Sequence, residues 1–225
     1  MLDDQPIVLE PGHATANACV IWLHGLGADG HDFEPIVDAL KLPSSMAVRF
    51  ILPHAPMMPV TINNGYVMRA WYDIPTMDIG GAQDAAGIRR SARYIGELIE
   101  QQIELGIACE RIVLAGFSQG GAVVLYTALR FDQPLAGVVA LSTYLPLAAK
   151  LEQEKSPNNQ HIPLLYLHGA QDAVVPLQLA LLARSRLEEQ GYTVDWQLYD
   201  DLPHGVSPAE VQRISRWLQS VLERV

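Results

Sequence analysis

The sequence predicts an α/β domain, a mostly parallel central sheet with helices on both faces. Three observations carry that prediction. Six apolar runs of strand length recur along the chain, helical patterns lie between them, and most of the runs are continuously apolar. Unbroken Val, Ile and Leu runs suit strands covered on both sides, and alternation of strand with helix suits parallel crossovers.

Taken in order, "QPIVLE" offers an N-terminal edge strand, and "CVIWL" (Cys19 to Leu23) and "VRFIL" (Val48 to Leu52) are the first two main strands. Between Ala85 and Leu105 the residues Ile88, Ala92, Ile95, Leu98, Ile99 and Ile103 follow a helical period, and Gly106 ends the helix. "RIVLAG" (Arg111 to Gly116) is the next strand, followed by a helix from Gly120 to Arg130 that is small and apolar nearly all round, hence buried. Two more strands follow, "GVVAL" (Gly137 to Leu141) and "PLLYLH" (Pro163 to His168), separated by a polar surface loop at "QEKSPNNQ". Pro176 suits a first helical position and Gly191 stops that helix. "TVDWQLY" (Thr193 to Tyr199) is the last strand. Ser207-Pro208-Ala209-Glu210 then forms a capping box opening a helix with Val211, Ile214, Trp217, Leu218 and Val221 on one side.

The stretch from Pro53 to Gly81 breaks the alternation. It is too long for an ordinary connection, yet it holds Trp71, two tyrosines and four of the six methionines. A hairpin is expected within it, with "VTI" and "GYVM" meeting at Asn64-Gly65. Such an excursion forms a lid or pocket wall, or else a satellite core.

Composition narrows the function classes. At 225 residues, one domain spanning 1–225 is expected. With 49% hydrophobic and 18% charged residues, the chain is that of a soluble globular protein. A net charge of −10 without a basic cluster argues against nucleic acid and against attraction to anionic lipid. The opening "MLDDQPIVLE" has no signal-peptide pattern, and no apolar run approaches the roughly 20 residues of a membrane span. The cytoplasm is therefore the expected compartment, with Cys19 and Cys109 as small buried hydrophobes.

Two glycine motifs compete for the chemistry. "GLGADG" (Gly25 to Gly30) matches the dinucleotide-binding pattern, but the next strand ends "FILPHAP" without the acid a ribose requires, and Asp29 would repel a pyrophosphate. "GFSQG" (Gly116 to Gly120) lies between a strand and a helix, the context of a nucleophile elbow with Ser118 at its tip. A serine needs a base and an acid to orient it, in the order Ser, acid, His. His161 precedes its strand, at the wrong edge of the sheet, and His168 has no acid on an earlier strand end. His204, on the loop after the last strand, lies at the correct edge. Asp172 lies just beyond a strand's carboxyl end. Asp132 falls at a helix end, Asp195 within a strand, and Asp200 and Asp201 too near His204. The expected triad is Ser118, Asp172 and His204.

"HGLGADG" then acquires a different purpose. Its glycines let the amide of Leu26 face the amide of Gln119 across the reacting carbonyl, each donor worth about 3–4 kcal/mol in the transition state. His24 is expected to brace this loop and His54 to be structural. His24, Asp29, His31 and Asp32 match no zinc or calcium spacing, so no metal and no cofactor is expected.

Four blocks, "WLHGLGADGHDF", "MRAWYDI", "LAGFSQGGAVVLYTAL" and "LHGAQDAVVP" with "LPHGV", make the chain resemble the acyl-protein thioesterase/bacterial carboxylesterase (phospholipase/carboxylesterase) family of the α/β-hydrolase superfamily. The resemblance implies that fold, Ser118, Asp172 and His204 as catalytic residues, and Leu26 and Gln119 as oxyanion donors. It departs at Ala173, where relatives often carry proline. It implies a small-molecule acyl ester or thioester as substrate and leaves assembly open between monomer and homodimer.

Methionines and aromatics of the excursion suggest an apolar acyl pocket, with Met68, Trp71 and Val175 as substrate-binding candidates. The favoured reading is a carboxylesterase for small to medium acyl esters working through an acyl-enzyme. An acyl-protein thioesterase or lysophospholipase is the alternative, and a non-catalytic binding module is a distant third. A neutral imidazole is required, so activity is expected to fall in acid.

Overall fold

A computed structural model describes residues 5–12, 14–76, 78 and 81–223. Its elements run β1 (Ile7–Leu9), β2 (Ala18–Leu23), α1 (Glu34–Leu40), β3 (Val48–Leu52), β4 (Met57–Val60) and β5 (Tyr66–Arg69). Next come α2 (Ala85–Glu104), β6 (Ile112–Phe117), α3 (Gln119–Ala128) and β7 (Gly137–Leu141). The chain continues with α4 (Leu151–Glu154), β8 (Leu164–Gly169), α5 (Leu177–Glu189), β9 (Val194–Tyr199) and α6 (Pro208–Leu222).

Seven strands form one sheet in the order β1-β3-β2-β6-β7-β8-β9, with β1 antiparallel at one edge and the rest parallel. Because side chains alternate along a strand, the central strands feed two cores. Cys19, Ile21, Leu23, Leu114 and Tyr166 face one side with buried residues of α2, α3 and α5. Ala18, Val20, Trp22, Val113 and Leu167 face the other, with α1 and α6. Both cysteines are free and buried, and burial pushes the thiol of Cys19 up to about 12 and that of Cys109 up to about 11.

Three details differ from expectation. The helix α1 has no counterpart in the periodicity reading, since only Leu40 of its seven residues is buried. The hairpin is longer than its Asn64-Gly65 signal implies. β4 begins at Met57, and the expected arm Val60 to Ile62 instead runs into a short 3-10 turn at Thr61–Asn63. That turn is held because the amide and hydroxyl of Thr61 donate to the carboxylate of Asp73, at 2.7 and 2.6 Å. Third, "QEKSPNNQ" is not all surface. Asn159 is buried, its side chain accepting from the Leu135 amide and donating to the carbonyls of Phe131 and Gln133.

The Pro53 to Gly81 excursion has two characters; Met77, Ile79 and Gly80 lie outside the described residues. Its hairpin is largely exposed, Tyr66 most of all, whereas Ala70, Trp71, Tyr72 and Ile74 are buried. The Gly27 amide donates to the Arg69 carbonyl at 2.8 Å, tying the hairpin to the loop after β2, and the Ala70 amide donates to the Pro56 carbonyl at 3.0 Å, closing the hairpin's base.

Candidate active site

Ser118 stands between β6 and α3 at φ 54°, ψ −120°, a conformation that an L-residue adopts only under constraint. The constraint is steric and hydrogen-bonded. A Cβ on Gly120 would lie 2.5 Å from the carbonyl oxygens of both Leu23 and His24. The Ser118 amide donates to the Leu141 carbonyl at 2.9 Å, and Thr143 Oγ1 donates to the Ser118 carbonyl at 2.6 Å. Neighbouring strands thus fix the turn that lifts the hydroxyl above the sheet.

Asp172 and His204 come from the loops after β8 and β9, which are stitched together. The Ala170 amide donates to Tyr199 O at 2.8 Å and the Gln171 amide to Leu202 O at 3.1 Å. A Cβ on Gly169 would fall 2.2 Å from Leu202 O, so the two loops touch at backbone level. The result places His204 Nε2 3.0 Å from Ser118 Oγ and His204 Nδ1 2.7 Å from Asp172 Oδ2. Nδ1–H donates to the carboxylate and Nε2 accepts from the hydroxyl. The Asp172 carboxyl is buried, and its Oδ1 accepts from the amides of Val174 and Val175 at 2.9 and 2.8 Å. The ring of Phe117 flanks that of His204, centroids 4.6 Å apart.

His168, passed over in the sequence as a base, lies behind this group. It is fully buried, its Nε2 donates to Val175 O at 3.0 Å, and Nε2 is 3.8 Å from Asp172 Oδ2. Burial holds its imidazole below the usual histidine range.

The loop after β2 passes directly over the elbow. A Cβ on Gly25 would come within 3.4 Å of Ser118 Cβ. Among the described residues neither the Leu26 nor the Gln119 amide shows a hydrogen-bond acceptor within the chain. The loop is braced by His24, whose Nδ1–H donates to Gly25 O at 2.7 Å while Nε2 accepts from the Ala55 amide at 3.0 Å. Desolvation lowers this imidazole to about 4. Trp71 Nε1 donates to the His24 carbonyl at 2.8 Å. The Gln119 side chain, invisible to motif reading, accepts from the Trp71 amide at 2.8 Å and donates to Tyr72 O at 2.7 Å. It ties the buried part of the excursion to the elbow.

The three acyl-pocket candidates have different surroundings. Met68 sits beside the loop, its sulfur 3.6 Å from a Cβ placed on Gly27. Trp71 is 2% exposed and acts as a brace, because both its N–H groups are engaged by neighbouring segments. Val175 is also 2% exposed, its backbone spent on Asp172 and His168, while its neighbour Val174 is 56% exposed and projects outward. Burial decided by distant segments leaves no trace in local periodicity.

Of the rejected acids, Asp195 pairs with Arg213 and Asp201 accepts from Gln171. Asp29, His31 and His54 gather with ligand-type atoms within 4.8 Å, a grouping no local spacing reveals. Their bonds serve the loop: Asp29 Oδ1 accepts from the amide and Nδ1 of His31, and His54 Nδ1 accepts from the Gly30 amide at 3.1 Å.

A strained serine at a strand-to-helix turn, hydrogen-bonded to a histidine that is hydrogen-bonded to an aspartate, on a largely parallel sheet, defines a serine hydrolase of the α/β-hydrolase class. The chain belongs to the phospholipase/carboxylesterase family, whose model matches residues 4–222. It is similar to acyl-protein thioesterase 1 of Neurospora crassa, 39% identical over 98% of this chain and 94% of that one. Acyl-protein thioesterase 1 of Gibberella zeae is 36% identical over 96% and 95%. Among solved structures, Arabidopsis thaliana SOBER1 superposes with a TM-score of 0.88 at 32% identity, covering 92% of this chain and all of that one. Among the described residues, no helix is long and apolar enough to cross a membrane.

Proposed function

We infer that the chain cleaves acyl thioesters, with acylated proteins as the favoured substrate class, by two-step acyl transfer at Ser118. His204 takes the Ser118 proton as Oγ attacks the acyl carbonyl, and the amides of Leu26 and Gln119 hold the oxyanion. His204 then protonates the departing thiol, giving an acyl-enzyme, and later activates the water that releases the acid. Asp172 fixes the tautomer and stabilises the imidazolium. The observation that carries this reading is the continuous hydrogen-bonded line from Ser118 Oγ through His204 to Asp172 Oδ2.

Substrate class rests on different support. The fungal relatives carry the name acyl-protein thioesterase, which moves the thioester ahead of the small ester favoured from composition. A cavity of about 500 Å³ whose walls include Tyr144, Leu145, Leu147, Leu179 and Leu182, with Asp78, Gln83 and Lys150 among its polar lining, offers partly apolar room for an acyl chain. Tyr144 adjoins Thr143, whose hydroxyl holds the Ser118 carbonyl. The exposed Val174 follows closely on Asp172. The family description keeps oxygen esters as the second reading.

The test compares kcat/KM for S-acylated peptides with p-nitrophenyl esters from acetate to palmitate, with Ser118→Ala as blank. A long-chain thioester preference abolished by the substitution supports the proposal. A preference for short oxygen esters replaces it with the second reading, and equal rates in both proteins remove Ser118 from the mechanism. A binding module without an activated serine would leave a fluorophosphonate unreacted.

A further inference from the structure

Between the excursion and α2 lies a second cavity of about 350 Å³ lined by His54, Pro56, Met58, Trp71, Ser91, Tyr94 and Arg90. It shares no wall residue with the cavity beside Tyr144, and neither Ser118 nor His204 lines either one. Its size falls at the low end of small-molecule sites, which span about 300–1,000 Å³. The walls are mostly apolar: Pro56 and Met58 from the excursion, the Trp71 indole, and Tyr94 from α2. Ser91 and Tyr94 share a face of α2 because they stand three residues apart.

The polar part of this lining is one-sided. Ser91 Oγ is occupied in donating to Trp71 O, and His54 Nδ1 in accepting from Gly30. Arg90 is exposed, and among the described residues no carboxylate pairs with it. Arg49, Arg89, Arg130, Arg184, Arg186 and Arg213 each have an acidic partner, whereas Arg90 is the arginine that lines this cavity and its guanidinium is left for a ligand. An apolar chamber with one uncommitted guanidinium at its wall matches a small amphipathic anion.

We propose that this cavity binds a monocarboxylate with a short apolar body, a shorter relative of the carboxylic acid that acyl transfer releases. The proposal rests on the acyl-hydrolase reading for the origin of its ligand. The apolar body lies against Met58, Trp71 and Tyr94 while the carboxylate meets Arg90. The site is wired to the catalytic loop. Trp71 holds the His24 carbonyl and the Gln119 side chain, and His54 holds the Gly30 amide, so occupancy restrains residues that position both proposed oxyanion donors. A short acid bound here would act on turnover without competing for the proposed acyl cavity beside Tyr144.

The experiment measures octanoate binding by calorimetry to the full chain after Ser118 has been capped with a small fluorophosphonate, which blocks the reactive site. Binding with one-to-one stoichiometry is expected. Arg90→Gln should weaken it about tenfold, the worth of a charge-assisted hydrogen bond. Met58→Trp, which fills the chamber, should abolish it, and octanol should bind as weakly to the native chain as octanoate does to Arg90→Gln. Thermal melts of each variant establish that it is folded, and Arg90→Gln, on an exposed helix face, serves as the second probe if Met58→Trp does not fold. Absence of binding to the capped protein, or binding unchanged in Arg90→Gln, overturns the site. Failure of Ser118 to react with the fluorophosphonate is read separately, since it strikes the hydrolase reading; octanoate binding is then measured on the uncapped chain.

Discussion

The imidazole of His168 donates to the carbonyl of Val175 at 3.0 Å, and the Val175 amide donates in turn to Asp172 Oδ1 at 2.8 Å. A fully buried ring therefore closes the turn that presents the carboxylate to His204. Replacing it by leucine keeps bulk and removes the donor. His168→Leu should lower kcat about 10- to 100-fold with little change in KM, because it displaces a group that acts on bound substrate. His168→Gln, whose amide can still reach Val175, should recover much of the loss. Steady-state kinetics on both variants check this, and an unchanged kcat in His168→Leu would sink it.

Asp172→Asn is expected to cost about 10⁴-fold in kcat, the scale set by removing the tautomer-fixing carboxylate in a serine triad. The direction follows from the amides of Val174 and Val175, which keep an oxygen at the Oδ1 position. The new NH₂ must then face His204 Nδ1 and force its proton to the serine side. A kcat within tenfold of wild type would contradict the role.

Gly120→Ala tests the elbow's packing. Its Cβ would meet two backbone oxygens at 2.5 Å, which cannot move without shifting β2. A loss of about 3 kcal/mol is expected, lowering Tm by about 6–12 °C in a chain of this size. Scanning calorimetry decides, and an unaltered Tm would mean that the helix and strand are less closely packed.

His24 carries a pH signature. Its imidazole is lowered to about 4 by desolvation, against about 6.5 in an unfolded chain. The unfolded state therefore binds the extra proton first, so this group's contribution is complete above pH 6.5 and is lost progressively as pH falls toward 4. Wild type should lose on the order of 3 kcal/mol over that window through this residue. His24→Gln, which does not titrate, should show a shallower acid slope in urea unfolding. Parallel slopes in the two proteins would contradict it.

Legibility in the sequence followed burial. β3 and β7 occupy the expected Val48 to Leu52 and Gly137 to Leu141, because strands covered on both faces have little choice but unbroken apolar residues. Ser118 was visible because the elbow demands glycine at fixed positions, and His204 because only one sheet edge can hold a base. Asn159 was not visible: its burial depends on three backbone groups from a different segment. Trp71 and Val175 carry structural bonds that local pattern does not reveal, for the same reason. The Trp71 indole bonds a carbonyl 47 residues away, and the Val175 amide bonds the buried carboxylate of Asp172.

The stitching of the loops after β8 and β9 has a consequence in time. β9 is the sheet's last strand and pairs with β8 alone, so the proposed base arrives only when that margin docks. A refolding chain with its centre formed but its edge still loose holds a finished Ser118 turn with nothing to deprotonate it. In stopped-flow refolding, recovery of turnover should coincide with or trail the burial of Trp22 on the central β2, and never lead it. Turnover is then a clock that starts when the margin of the sheet closes.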